Sequence, residues 1–191
     1  MKPPDFSDIG LVTEGTWRSW AVFSPDRRYR YLLSRNWLDV TSDEEKLIVE
    51  RDQWAPYETP MIFCMLNPST ASAFDDDPTI RKCIGFAKRQ RKTRIIVANL
   101  FAWRATDPRE LTKAEEPCGE RNAEVLARVW NMMALRVAAW GRFPSLRVRR
   151  RVHAWPGLRT AQCFGKTKGG EPRHPLMLSY DTPLVPVLTR W

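Results

Sequence analysis

The sequence predicts an α/β fold: a three-layer αβα sandwich around a short, mainly parallel sheet, with a β-hairpin added on the N-terminal side. Three observations predict it. Short apolar runs recur at residues 61–66 (MIFCML), 94–100 (RIIVANL), 136–140 (RVAAW) and 160–164 (TAQCF), each the length of a buried strand. Stretches with apolar residues at helical spacing stand between them. Turn or cap residues follow each run: Asn67-Pro68, Asp107-Pro108, Gly141 and Gly165. A chain of 191 residues suits one domain and can bury a core without staples. Residues 1–60 read as the hairpin plus an acidic insertion, and 61–187 as the core.

The elements follow in order. Residues 20–24 and 29–35 are strand-like, and Pro25-Asp26-Arg27-Arg28 turns one into the other as a hairpin. Residues 39–59 are acidic, weakly periodic and loop-like. After the first buried strand a helix begins at Asp77-Pro78, with Asp as N-cap and Pro at the first helical position. Ile80, Cys83, Ile84 and Ala87 form its apolar stripe. Asp107 with Glu110 three residues on resembles a capping box. A longer helix is expected over 119–133, with Ala123, Leu126, Val129, Trp130 and Met133 on one face. Val148, Val152 and Trp155 suggest a further amphipathic helix whose outer surface carries arginines.

Composition excludes several classes. No apolar run approaches the roughly 20 residues of a membrane span. The first residues lack the apolar core of a signal peptide, which makes the cytoplasm the default location. Cys64, Cys83, Cys118 and Cys163 are scattered, and the two histidines show no ligand spacing. No metal or organic cofactor is expected, and Cys64 and Cys163 read as buried thiols. The net charge is +9 and uneven: residues 1–60 carry eight Lys/Arg against eleven Asp/Glu, or −3, leaving +12 for the rest. Lys88, Arg89, Arg91, Lys92 and Arg94 form one basic cluster, and Arg147, Arg149, Arg150 and Arg151 another. One cluster alone reads as a solvated helix face. Two in a small domain point to a polyanion such as nucleic acid.

In a parallel sheet, ligands bind at the carboxyl ends of the strands. There the chain places Asn67, Pro68 and Ser69, then Asn99 followed by Phe101 and Trp103, then the loop from Gly165 to Leu178. Asn67 can orient a water or a base edge, because its amide both donates and accepts. Asp75, Asp76 and Asp77 read first as helix-capping groups, with a metal site or a general base as the sharper alternatives. Asn99 and its aromatics read either as a base-recognising set or as a turn cap beside core rings. Lys166, Lys168 and Arg173 lie in a Gly-rich basic loop that lacks the G-x-x-x-x-G-K-[ST] pattern, so a polyanion backbone suits it better than a nucleotide triphosphate. His174 is a candidate acid or electrostatic stabiliser.

Two resemblances bear on these loops. The stretches AVFSPDRRYRYLLSRNW, FCMLNPSTASAFDDDPTIRKCIGFAK, VANLFAWRATDP, AAWG and CFGKTKGGEPRHPLML resemble, in order, the domain-of-unknown-function family numbered 1643. More distantly, the strand ends resemble those of the uracil-DNA glycosylase superfamily. Met65-Leu66-Asn67-Pro68 is similar to its water-positioning motif, Val97-Ala98-Asn99-Leu100 to its base-reading strand, and His174-Pro175-Leu176 to the first half of its H-P-S-P motif. Met65 stands where that superfamily has Gly, and Leu176 where it has Ser.

The resemblance implies a glycosylase-like fold and a DNA base N-glycosylase that excises uracil or a modified or damaged base by water attack on the N-glycosidic bond. Asn67 and His174 would be catalytic. Phe74, Asn99, Pro68 and Ser69 would hold the base, with Phe74 stacking on it. Lys166, Lys168, Arg173, Arg149, Arg150 and Arg151 would meet the backbone of single-stranded DNA or of a strand with a flipped base. The chain reads as a monomer with no membrane partner. Two other readings stay open: a non-catalytic nucleic-acid-binding protein on the same scaffold, and an enzyme acting on free nucleosides or nucleotides.

Overall fold

The computed structural model describes residues 4–38, 59–69, 71–142, 157 and 160–187. They build one eight-stranded mixed sheet. Its strands are β1 (Val12–Gly15), β2 (Ser19–Phe23), β3 (Arg30–Asn36), β4 (Met61–Met65), β5 (Arg94–Asn99), β6 (Leu135–Ala138), β7 (Gln162–Cys163) and β8 (Val185–Pro186), in the order β1-β2-β3-β5-β4-β6-β7-β8. The expected αβα sandwich with a mainly parallel sheet does not form. Four of the seven strand pairings are antiparallel: β1/β2, β2/β3, β3/β5 and β7/β8. The described residues contain only two α-helices, α1 (Pro78–Arg89) and α2 (Asn122–Trp130). The hairpin expected as an appendage is instead part of the sheet, because β3 pairs with β5 over five residues.

Parallel pairing is confined to β5-β4-β6-β7. β4 lies at the centre with all five residues buried, which explains its unbroken apolar run. Alternation along β4 divides the core in two. Ile62 and Cys64 join a cluster that contains Val125, Val129 and Trp130 of α2. Met61, Phe63 and Met65 join the other, with Ile80, Cys83, Phe86 and Ala87 of α1. Each face thus carries one described helix. Loop residues such as Phe6, Leu11, Leu111 and Cys118 complete the α2 side.

Both helices form for legible reasons, with one adjustment. The Asp77 carboxylate accepts from the Ile80 N–H at 2.8 Å, and Pro78 occupies the first turn of α1. α2 is shorter than its apolar pattern suggests, and Ala123 and Met133 are exposed. Gly119 has φ of +80°, so the chain before α2 is still turning there. Its buried face is Asn122, Val125, Leu126, Val129 and Trp130. At Asp107 the cap starts a 3-10 turn, Pro108–Thr112, rather than an α-helix.

A β-bulge in β3 re-aims one charged side chain. Val22 pairs with Leu32, but Phe23 pairs with Arg30, so Tyr31 is an extra residue. Tyr31 and Leu32 both enter the α2-side cluster. Arg30 is thereby turned to the opposite face from the one regular alternation would give it.

Candidate active site

The carboxyl ends of β4, β5 and β6 open into a cleft of about 420 Å³. That volume suits a small organic ligand. Asn67, Ser69, Asn99 and His174 line it, four residues separated by as much as 107 positions in sequence (174 − 67). Met65, Val97 and Ile80 supply apolar wall.

Asn67 follows β4 directly, and its side chain is oriented by the backbone. Its Nδ2 donates to the Ala105 carbonyl at 2.7 Å and to the Pro68 carbonyl at 3.2 Å. Both amide protons are spent, so Oδ1 carries the remaining capacity, as an acceptor. Pro68 is buried beneath; its carbonyl also accepts from the Ala105 N–H. Asn99 ends β5, paired in register with Met65. It is 1% exposed, and its Nδ2 has no hydrogen-bond partner among the described residues. Behind it, Asn122 Nδ2 donates to the Asn99 and Leu100 carbonyls at 3.0 Å each, fixing the strand end.

His174 reaches the cleft from the last loop and is held at Nδ1. The Leu176 N–H donates to its Nδ1 at 3.3 Å, which opens the 3-10 turn Pro175–Met177. A neutral imidazole accepting at Nδ1 carries its proton on Nε2. Burial holds its pKa below the ordinary histidine value, opposed by the charge of Asp77. The neutral donor form is therefore favoured at neutral pH. Gly141, just past β6 at φ of +73°, lies against it: a Cβ there would meet His174 Cβ at 3.1 Å.

The loop between β4 and α1 is bolted down from the sheet. Arg35 Nε donates to Asp76 at 2.8 Å, and its Nη2 to the Ser72 and Asp75 carbonyls. Ser19 Oγ donates to the Ala73 carbonyl and Arg30 Nη1 to the Ala71 carbonyl. Of the three aspartates, Asp77 caps α1 and lines the cleft, Asp76 pairs with Arg35, and Asp75 accepts from Ser72 Oγ at 2.9 Å. Phe74 is not brought to the cleft. Ser72 Oγ accepts from the Phe74 and Asp75 N–H groups, and this turn leaves Phe74 70% exposed.

Lys166, Lys168 and Arg173 are exposed on a short hairpin that Lys166 and Pro172 bridge and that hydrogen bonds between Thr167 and Glu171 close. This hairpin adjoins the site through the hydrogen bond from the Gly141 N–H to the Pro172 carbonyl. Arg149, Arg150 and Arg151, and the helix expected around them, lie outside the described residues, as do 39–58 of the acidic segment.

Sequence reasoning missed Arg30. It is 2% exposed, lines the cleft, and makes no ion pair among the described residues. Burial pushes its pKa down to about 9, with Asp77 opposing and Arg104 and Arg35 adding to the fall. The alternation Arg-Tyr-Leu-Leu-Ser-Arg assigns it the wrong face; only the bulge at Tyr31 corrects that.

Residues 30–176 match the family of proteins of unknown function designated DUF1643. The chain belongs to this family. The matched span runs from Arg30 to Leu176, and every residue lining the cleft falls within it. No curated protein and no solved structure matches the chain. None of these comparisons supports the expected likeness to the uracil-DNA glycosylase superfamily. No helix among the described residues of this DUF1643 protein is long and apolar enough to cross a membrane.

Proposed function

We propose that this DUF1643 protein is a DNA base N-glycosylase-type hydrolase acting on uracil or a modified or damaged base. One observation carries the reading: a single cleft gathers an acceptor, a donor and a neutral imidazole N–H, in Asn67, Asn99 and His174.

The base enters the cleft from a single strand or after flipping. Asn99 Nδ2 donates to an exocyclic oxygen of the base. Asn67 Oδ1 accepts from a water and turns its lone pair towards the sugar C1′. The glycosidic C1′–N bond breaks, its electron pair leaves with the base, and an oxocarbenium-like sugar develops. A strong base is unnecessary, because a cation takes up even weakly activated water. The water oxygen bonds to C1′ and its proton passes to solvent. His174 donates from Nε2 to the oxygen of the departing anionic base, an oxyanion-hole type of stabilisation. Lys166, Lys168 and Arg173 hold the strand outside. Phe74, exposed and outside the cleft lining, takes no stacking role.

The test is base release from single- and double-stranded oligonucleotides carrying uracil, hypoxanthine or modified cytosines, with abasic sites revealed by alkaline cleavage. Release from at least one of them is expected. Tight, salt-sensitive binding of every oligonucleotide without release would instead favour a non-catalytic binder.

A further inference from the structure

Arg30 and Arg35 lie five residues apart on β3, and both are buried. Arg35 is spent: it pairs with Asp76 and donates to the Ser34, Ser72 and Asp75 carbonyls. Arg30 is not. The one hydrogen bond of its side chain among the described residues goes to the Ala71 carbonyl, and its Nε has no partner. Asn99 Nδ2, equally buried in the same cleft, is also bare. A buried donor without an acceptor is costly, and native proteins keep few of them. Two such donors belong to residues of one ligand-sized cleft, where a bound ligand would supply acceptors.

We infer that Arg30 and Asn99 form a subsite for the anionic substituent of a planar ring, a ring carboxylate being the simplest such group. This subsite sets the substrate class of the proposed glycosylase and rests on that reading for the ring's being a base. A desolvated guanidinium without a carboxylate calls for an anion, and its planar fork matches a carboxylate. Met65, Val97 and Ile80 in the same cleft bury ring faces, which a bare inorganic ion would not use. The charged groups near the subsite are Asp77, whose carboxylate is committed to the α1 cap, and Arg104, Arg35 and Arg142; His174 is neutral. Cations outnumber the single cleft carboxylate.

The experiment is calorimetric titration of the wild type, Arg30→Gln, Arg30→Lys and Asn99→Asp with 5-carboxyuracil, uracil and inorganic phosphate, with circular dichroism reporting folding. The wild type should bind 5-carboxyuracil at least about tenfold more tightly than uracil. Arg30→Gln should weaken the carboxylated ring on the order of 10- to 100-fold, the worth of a hydrogen bond to a charged group. Arg30→Lys should keep part of the preference, and Asn99→Asp, which sets a second anion against the ligand, should abolish it. Equal binding of the two rings by the wild type overturns the inference. So does an undiminished preference in folded Arg30→Gln or, if that variant fails to fold, in both other variants. Phosphate binding as tightly as the carboxylated ring also overturns it. Release assays on oligonucleotides carrying each base separate the two readings. Selective binding without release would sink the glycosylase and leave the subsite. Equal release of both bases by the wild type and Arg30→Gln would sink the subsite and leave the glycosylase.

Discussion

His174 can act as proposed only as a neutral donor, and burial beside Gly141 is what keeps it so. The same burial has a consequence for stability. A histidine whose folded pKa lies below its unfolded value of about 6.5 leaves stability intact above that pH. As pH falls towards the folded value, the unfolded chain takes the proton first and stability drains away. Urea midpoints measured from about pH 8 to about pH 5 should therefore fall less in His174→Gln than in the wild type. Asp77 has two duties that substitution separates. Asp77→Asn keeps the cap on α1, whereas Asp77→Ala should cost about 1 kcal/mol in urea unfolding. In both variants the His174 pKa, followed by NMR titration, should fall further, since Asp77 holds it up. Asn67 and Asn99 were legible in the sequence because each stands at the end of an apolar run, and His174 because its loop follows one; strand ends are where such sheets bind ligands. Arg30 was not, since a bulge leaves no mark in an alternating pattern. Phe74 was misplaced because a serine-centred turn, invisible to motif matching, rotates it outward.

The elements that came through were those with local causes. β4, β5 and the Pro25–Arg28 hairpin turn follow from burial and turn chemistry, and α1 from its Asp-Pro start. β1 and β8 were missed: β1 is a partly exposed edge with little apolar signal, and β8 is two residues long and contains Pro186. Pairing rather than apolar pattern makes each strand: β1 with β2 across a tight turn, and β8 with β7 from farther back in the chain. α1 is anchored by Phe86, 1% exposed and 4.1 Å from the Phe164 ring centroid. Phe86→Ala should cost about 3–5 kcal/mol of unfolding free energy by denaturant titration. The end of β6 is more delicate. Gly141→Ala places a side chain in a left-handed conformation, costing about 1–2 kcal/mol, and presses on His174. It should lower base release by more than its effect on folding explains, with residual folded fraction measured in parallel.

At the scale of the whole molecule, the fold is a parallel core flanked by antiparallel strands, and of these flanks the sequence pattern predicts only the β2–β3 hairpin, as an addition to the sandwich. The carboxyl ends of β4, β5 and β6 bring the strand-end residues together although the expected sandwich is absent, and β3 adds Arg30 from the antiparallel flank. Charge acts over longer distances. If Lys166, Lys168 and Arg173 hold a strand, replacing them with Ala should weaken DNA binding regardless of sequence and flatten its dependence on salt, measured by fluorescence anisotropy. It should leave cleavage of a saturating bound substrate nearly unchanged. Asn67 and His174 should behave in the opposite way. The decisive measurement is single-turnover base release from the best oligonucleotide by the wild type, Asn67→Ala and His174→Ala at saturating protein. Each substitution should slow release on the order of 10²–10³-fold while DNA binding stays within about twofold. Release at the wild-type rate by both folded variants would contradict the catalytic roles of Asn67 and His174.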